Sequence, residues 1–164
     1  MYHSTELQLA MDQCFAANEV TRATNANGKL TSLQRAKELV FSGASIIGLA
    51  GVIVLFGWFI VSAPASLGIR TIAVIIALAG FMLFWRSLNW LRDAIGGLVK
   101  IIEGEPDLRA DVRYRGPSVY FARVGPTELR VPYSAWRVLH ENKRHRWRFC
   151  FLPRVRRAVS ISIL

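Results

Sequence analysis

Two long uncharged runs, separated by a few residues around a proline, limit what this chain can fold into. No charged residue occurs from Leu39 to Ala63, and none from Thr71 to Trp85. A bilayer core about 30 Å thick is crossed by about 20 apolar residues at about 1.5 Å rise each. The first run meets that length alone. The second meets it by continuing through Leu88 and Trp90, with Arg86 reaching toward the interface. The expected spans are about 39–63 and 69–90. Pro64 stops the first helix, Gly68 relaxes the backbone, and the turn from Ser62 to Gly68 is short. The two helices are therefore expected to run antiparallel as a hairpin.

Orientation follows from Lys and Arg near the span ends. Arg35 and Lys37 precede the first span; Arg86, Arg92 and Lys100 follow the second; the turn carries Arg70. This asymmetry places both termini in the cytoplasm. Trp85 and Trp90 then lie at the cytoplasmic interface, a depth that suits indole rings. Ala63-Pro64-Ala65 resembles a signal-peptide cleavage site. However, 38 residues precede the apolar run, and the run exceeds a signal-peptide core, so a retained span is expected.

Small residues recur at helical spacing in both spans. Ala44 and Gly48 lie four apart in the first; Ala73 and Ala77 lie four apart in the second, with Gly80 close by. Such pairs let backbones approach closely, so these five residues are expected at the hairpin contact.

Outside the spans the pattern changes. Leu7, Met11, Cys14 and Phe15 suggest an amphipathic helix within residues 1–23, broken at Asn25 to Gly28. Thr31 with Gln34 fits a capping box opening the first long helix. Gly96-Gly97, Gly104 and Pro106 weaken and end the second. From Ala110 onward, alternation predicts about five short strands: around Val112 to Arg115, Ser118 to Val124, Thr127 to Val131, Arg146 to Leu152, and Val159 to Ile163. Trp147, Phe149 and Phe151 share one face of the fourth, and Arg146, Arg148 and Cys150 the other.

The expected fold class is thus an α+β membrane protein: a two-helix transmembrane hairpin followed by a small antiparallel β-sheet or barrel-like domain. Its parts are a cytoplasmic N-terminal amphipathic segment (1–38), the hairpin (39–92), a linker (93–109) and a cytoplasmic basic β-domain (110–164).

The formal net charge is +10 and is concentrated late. Between Arg130 and Leu164, nine Lys or Arg stand against one acid, Glu141, a net of +8. Lys143, Arg144, Arg146, Arg148, Arg154, Arg156 and Arg157 are the candidates for contact with a partner or with the membrane surface. Anionic lipid headgroups are the nearest polyanion, and nucleic acid is the rival. Cys14 and Cys150 fall on the same reducing side, where no disulfide is expected.

Tests for chemistry return little. His140 and His145 are five apart in a cationic stretch, whereas the zinc-protease pattern needs two His four apart on a helix. Asp107 and Asp111 lie in a charged segment. There is no Gly-rich phosphate loop and no Gly-x-Ser-x-Gly elbow. Neither span contains His, Asp, Glu or Lys, the groups that serve proton relays at membrane depth. No cofactor, metal or enzymatic activity is expected.

Several short motifs carry a resemblance. They are Asn27-Gly28-Lys29-Leu30-Thr31 with Gln34, the hairpin, Ile102-Glu103-Gly104, and the ending Trp147 to Pro153 with Arg154, Arg156, Ser160 and Ile161. Over about residues 25–164 the chain resembles a group of uncharacterised bacterial two-span membrane proteins with a small basic C-terminal β-domain. The resemblance implies a bacterial inner-membrane location and this architecture, with no activity attached. Cys150 stands where that pattern has an aromatic residue. The expected function is a non-enzymatic membrane accessory or scaffold protein. Its β-domain would bind a protein partner, a membrane complex or a second copy of itself. The alternatives are a membrane-tethered nucleic-acid binder, motivated by Lys143 to Phe151, and a small oligomeric channel with only Ser42, Ser45, Ser62 and Thr71 as polar lining.

Overall fold

A computed structural model describes residues 2–62, 66–112, 114 and 117–164. Element order is α1 (Tyr2–Phe15), α2 (Glu19–Ala26), α3 (Ser32–Ser62), α4 (Leu67–Gly96), β1 (Lys100–Gly104), β2 (Asp107–Asp111), β3 (Val119–Val124), β4 (Thr127–Val131), α5 (Tyr133–Glu141), β5 (Trp147–Leu152) and β6 (Arg157–Ile163). Two compact units result: a helical unit of residues 32–96, and a second unit of residues 1–31 with 97–164.

The helical unit is an antiparallel pair. Both helices are long and apolar enough to cross a membrane. Large apolar side chains such as Ile47, Leu55, Trp58, Ile72, Leu78 and Met82 are exposed all around it. An apolar surface of that extent exceeds the patches that soluble monomers show. On α4 the inward residues are small: Ala73 and Gly80 are buried, Ala77 is half-buried, and Ser87 and Ala94 extend the line. A Cβ on Gly80 would stand 3.4 Å from Ile53 Cγ1 of α3. The small residues of α4 thus receive the larger side chains of α3.

The expectation for α3 is corrected. Ala44 and Gly48 are exposed, and a Cβ on Gly48 would meet nothing within 4 Å. The inward line of α3 runs through Glu38, Ser42, Ile46, Leu49 and Ile53. At about 100° per residue, Ala44 is about 200° from Ser42, and Gly48 about 200° from Ile46. The pair points away from α4. The turn read at Pro64, with Ala63 and Ala65, lies outside the described residues.

The second unit holds a six-stranded mixed sheet in the order β1-β5-β6-β4-β3-β2. Five pairings make up the sheet; four are antiparallel, and β4 with β6 is parallel. The expected all-antiparallel sheet is corrected at that point, where the parallel register contains one pair, Arg130 with Arg157. The sheet is therefore two antiparallel triplets, β1-β5-β6 and β2-β3-β4, touching at one end.

Chain length forces the sheet to curl. In a flat sheet β1 and β2 would be five strand spacings apart, roughly 24 Å. Gly104 and Asp107 are three residues apart, a reach of at most about 11 Å. The two edge strands must meet at the Glu105-Pro106 corner. Gly104 passes so close to β3 that a Cβ there would lie 2.9 Å from Val124 Cγ1.

The expected linker is also corrected: residues 100–104 and 107–111 are strands. In β2, Leu108 faces Ala122 and Ala110 faces Tyr120, while Asp107, Arg109 and Asp111 point outward. Three charges in five residues hide a strand from a hydrophobic reading. The strand expected at Val112 to Arg115 falls partly on residues outside those described, and Val112 and Tyr114 are exposed.

The interior is filled from both ends of the sequence. Trp147 and Phe149 are 0% exposed and pack with Ile161, Leu129, Val124 and Leu139. Leu7 and Met11 of α1 join the same core. Gln8 receives a hydrogen bond from the Ile163 backbone N–H at 2.9 Å and donates to the Ile161 carbonyl at 3.3 Å. Its amide supplies donor and acceptor to strand backbone that would otherwise need a neighbouring strand. Residues 1–31 thus form part of the β unit, where the sequence suggested a separate segment. The break between α1 and α2 falls at Ala16 to Asn18, which the sequence reading missed. Ala16 has φ 48°, and Asn18 caps α2 by accepting from the Thr21 N–H at 2.8 Å.

Candidate functional site

Four features of the β unit and one of the helical unit bear on function. The first is a clamp between the two crossing segments of the chain. Leu30 N–H donates to the Gly97 carbonyl, and Val99 N–H to the Gly28 carbonyl, both at 2.9 Å. Lys29 and Leu98 form an antiparallel bridge between them. Gly28 (φ 75°) and Gly97 (φ 61°) adopt backbone that only glycine takes easily. The Asn27 to Thr31 motif is thus one side of this clamp. α3 starts one residue after Thr31, and α4 ends one residue before Gly97.

The second feature is the distribution of positive charge, which differs from the linear sequence. Lys143, Arg144 and Arg146 are exposed in the loop before β5. Arg154, Arg156 and Arg157 are exposed in the turn after it. β5 has six residues, so roughly 20 Å separates the two groups at opposite ends of the sheet. Register identifies the ends. Lys100 pairs with Phe151 and Leu152 with Arg157, so the 153–157 turn shares the end where the clamp and Lys29 lie. Arg130 lies opposite Arg157 at that same end. Gly104 pairs with Trp147, so Lys143, Arg144 and Arg146 occupy the far end. Arg148 belongs to neither group: its Nε lies 2.6 Å from a Glu103 carboxylate oxygen, on the neighbouring strand.

The turn at 153–156 has a defined backbone. Arg156 N–H donates to the Leu152 carbonyl, and the Arg156 carbonyl accepts from Arg130 N–H at 2.8 Å. Arg156 itself has φ 51°, left-handed backbone that costs a residue with a Cβ about 1 kcal/mol.

The third feature is an aromatic ledge on α5 and β3. Tyr120 lies 4.9 Å from Tyr133 and 5.4 Å from Trp136 between ring centroids, and Trp136 stacks on His140 at 4.9 Å. Tyr133 is exposed, and Trp136 Nε1 is buried without a hydrogen-bond partner among the described residues. The aromatics that motivated the nucleic-acid reading, Trp147, Phe149 and Phe151, are buried in the core instead.

The fourth is the thiol of Cys150. The sequence expectation put Cys150 toward water with Arg148; it is 3% exposed. The outer face of β5 and β6 is covered here by α2, whose Asn25 Nδ2 donates to Ser160 Oγ at 2.9 Å. A bulge between Cys150 and Phe151 turns Val159 and Ser160 into the same small outer layer. Burial pushes the Cys150 thiol above its ordinary pKa; the hydrogen bond with Ser160 and the charge of Arg148 offset this in part. Cys14 and Cys150 are both free thiols.

In the helical unit, Trp90 Nε1 donates to a carboxylate oxygen of Glu38, which is buried against α4. Sequence reasoning began the span at Leu39 and so missed this inward acid. Ser42, Ser45 and Thr71 each donate to a carbonyl of their own helix, three or four residues back. Such back-bonding leaves them weak candidates for lining a pore.

Among the described residues, no group of three or more His, Cys, Asp or Glu could hold a metal ion. His140 and His145 are engaged with Trp136 and Trp147 respectively, the latter pair at 6.4 Å. Comparison with protein-family models, with curated proteins and with solved structures gives no match for this chain.

Proposed function

We propose that this chain is a non-enzymatic accessory or scaffold protein of a bacterial inner membrane. Its helical hairpin is inserted in the bilayer with both termini cytoplasmic, and its β unit presents a docking surface beside the inner leaflet. The observation that carries this reading is the Gly28–Val99 and Leu30–Gly97 clamp. It pairs the segment that precedes α3 with the segment that follows α4, both inside the β unit. The exposed far-end group, Lys143, Arg144 and Arg146, offers a partner a charged rim, and the Tyr133 ledge offers aromatic area. Aromatic and Arg side chains are the types enriched at interface hot spots. The partner is a protein, a membrane complex or a second copy of this chain.

The test is affinity capture of the full chain from a gentle detergent extract, with light scattering on the purified protein. A specific partner or a defined oligomer is expected, weakened by Tyr133→Ala or by Lys143→Ser with Arg144→Ser. A lone monomer that captures nothing would end the proposal. Burial of Trp147, Phe149 and Phe151 counts against single-strand nucleic-acid binding, which needs exposed rings for stacking.

A further inference from the structure

We infer that the junction-end cations, centred on Arg156 with Lys29, Lys100, Arg154 and Arg157, form a contact for the phosphates of anionic lipid headgroups. The far-end cations Lys143, Arg144 and Arg146 are not part of it. The inference rests on membrane insertion of the hairpin, as proposed above, and assigns to that reading a particular lipid-contacting surface.

Three observations converge. The first is placement. The 153–157 turn, Lys29 and Lys100 share the end of the β unit from which the chain passes into both apolar helices. An anionic leaflet falls off in potential within a Debye length, about 8 Å at physiological salt. The junction-end cations lie where the chain leaves the β unit for both apolar helices, and the far-end cations lie one strand length, roughly 20 Å, from them.

The second observation is charge. All five residues are basic and exposed, and the sequence from Pro153 to Arg157 contains no acid.

The third is the backbone of Arg156. Its φ of 51° favours glycine, yet the residue carries the longest cationic side chain available. Its N–H and carbonyl are both held in backbone hydrogen bonds, so the turn fixes where the side chain starts. A left-handed position occupied by a charged residue is a pointer to function. It also separates folding from binding. Arg156→Gly removes the guanidinium and relieves the backbone, so it should bind lipid less while folding equally well or better.

The experiment uses the purified full chain in nanodiscs containing phosphatidylglycerol and phosphatidylcholine. Native mass spectrometry then counts the lipids retained on release. The parent chain should retain phosphatidylglycerol preferentially. Arg156→Gly should lower that preference about five-fold, the factor expected for one basic residue at an anionic surface, with an unchanged or higher melting temperature. Arg156→Asn, which also tolerates this backbone, serves as a second variant and should do the same. Lys143→Ser with Arg144→Ser and Arg146→Ser should leave the preference intact. The inference is overturned if the Arg156 variants keep the parent preference, or if the far-end variant loses it equally. It is also overturned if, in phosphatidylcholine discs, the turn binds a single-stranded oligonucleotide at physiological salt and the Arg156 variants abolish that binding. No protein partner enters the measurement. A lone monomer that prefers phosphatidylglycerol would refute the scaffold reading and leave this one standing; a chain that captures a partner without lipid preference would do the reverse.

Discussion

Trp90 of α4 donates its indole N–H to the carboxylate of Glu38 on α3, a bond between side chains 52 positions apart. It fixes the axial register of the helix pair at the end where the chain joins the β unit. The rest of the pair meets through Ala73, Ala77 and Gly80, small residues that permit sliding. Arg35 adds to the same end by donating to the Ala94 and Ile95 carbonyls, near the C-terminus of α4. A cation there also suits the helix dipole.

Removing the indole donor should therefore loosen the hairpin. Trp90→Phe keeps most of the ring volume and deletes one hydrogen bond to a buried carboxylate, at a cost of about 1–3 kcal/mol. Glu38→Gln keeps an acceptor and should cost less. Thermal unfolding in detergent, followed by near-ultraviolet circular dichroism, checks both. Equal melting temperatures for Trp90→Phe and the parent would show that the bond does not set the register.

The two glycines of the helix pair should separate cleanly. Gly80 faces Ile53, and a branched side chain there has no room, so Gly80→Leu should cost about 1–3 kcal/mol as an overpacked site. Gly48 faces outward with open space around its Cβ position, so Gly48→Leu should change stability by less than about 0.5 kcal/mol. Unfolding of both variants in the same detergent is the measurement. A large loss at Gly48 with none at Gly80 would mean that α3 is rotated by about half a turn from the arrangement described.

The same contrast operates across β5. Phe149 is 0% exposed at the centre of the core, and Phe149→Ala should cost about 3–5 kcal/mol. Arg148→Ala breaks an ion pair that is more than a third exposed on both sides, so its effect on folding should be below about 1 kcal/mol. Because Glu103 already neutralises Arg148, its loss should also leave binding to anionic lipid unchanged. Chemical denaturation and the nanodisc measurement above read the two effects.

The sequence was legible where one face of an element carries a long, uniform signal. The two apolar helices, and Trp147, Phe149 and Phe151 on one side of β5, are read directly from period and length. β1 and β2 were illegible for a local reason. β1 sets Ile101 and Ile102 side by side, without alternation, and from β2 Leu108 packs against the core. Partners far away in sequence decide these strands: Ile102 pairs with Phe149, and Leu108 with Ala122. The basic cluster failed for the opposite reason. Lys143 to Arg157 is continuous as a string, but β5 runs through its middle and carries its halves to opposite ends. Gly48 shows the limit of small-residue spacing: four residues apart places Ala44 and Gly48 on one face, without saying which face meets the partner helix.

Cys150 gives the fold a dependence on alkaline pH whose sign can be worked out. Burial raises the thiol pKa in the folded state, while the unfolded thiol titrates near its ordinary value of about 8.5. Below that value both states hold the proton, and the contribution to stability is fully present. As pH rises above about 8.5 the unfolded chain gives up its proton first. Unfolding then becomes more favourable, and the loss continues until pH passes the raised folded value. Denaturation midpoints should therefore fall from pH 8 to pH 10 in the parent chain. Cys150→Ser removes this thiol and should flatten the part of the slope it causes, though its hydroxyl must share the Ser160 site. Cys14, half-buried on α1, is an internal comparison: at pH 8 an alkylating reagent should label Cys14 well before Cys150. Rapid labelling of Cys150 in the folded protein would mean that α2 does not cover the outer face of β5 and β6. The hydrogen bond between Asn25 and Ser160 would then not hold in solution.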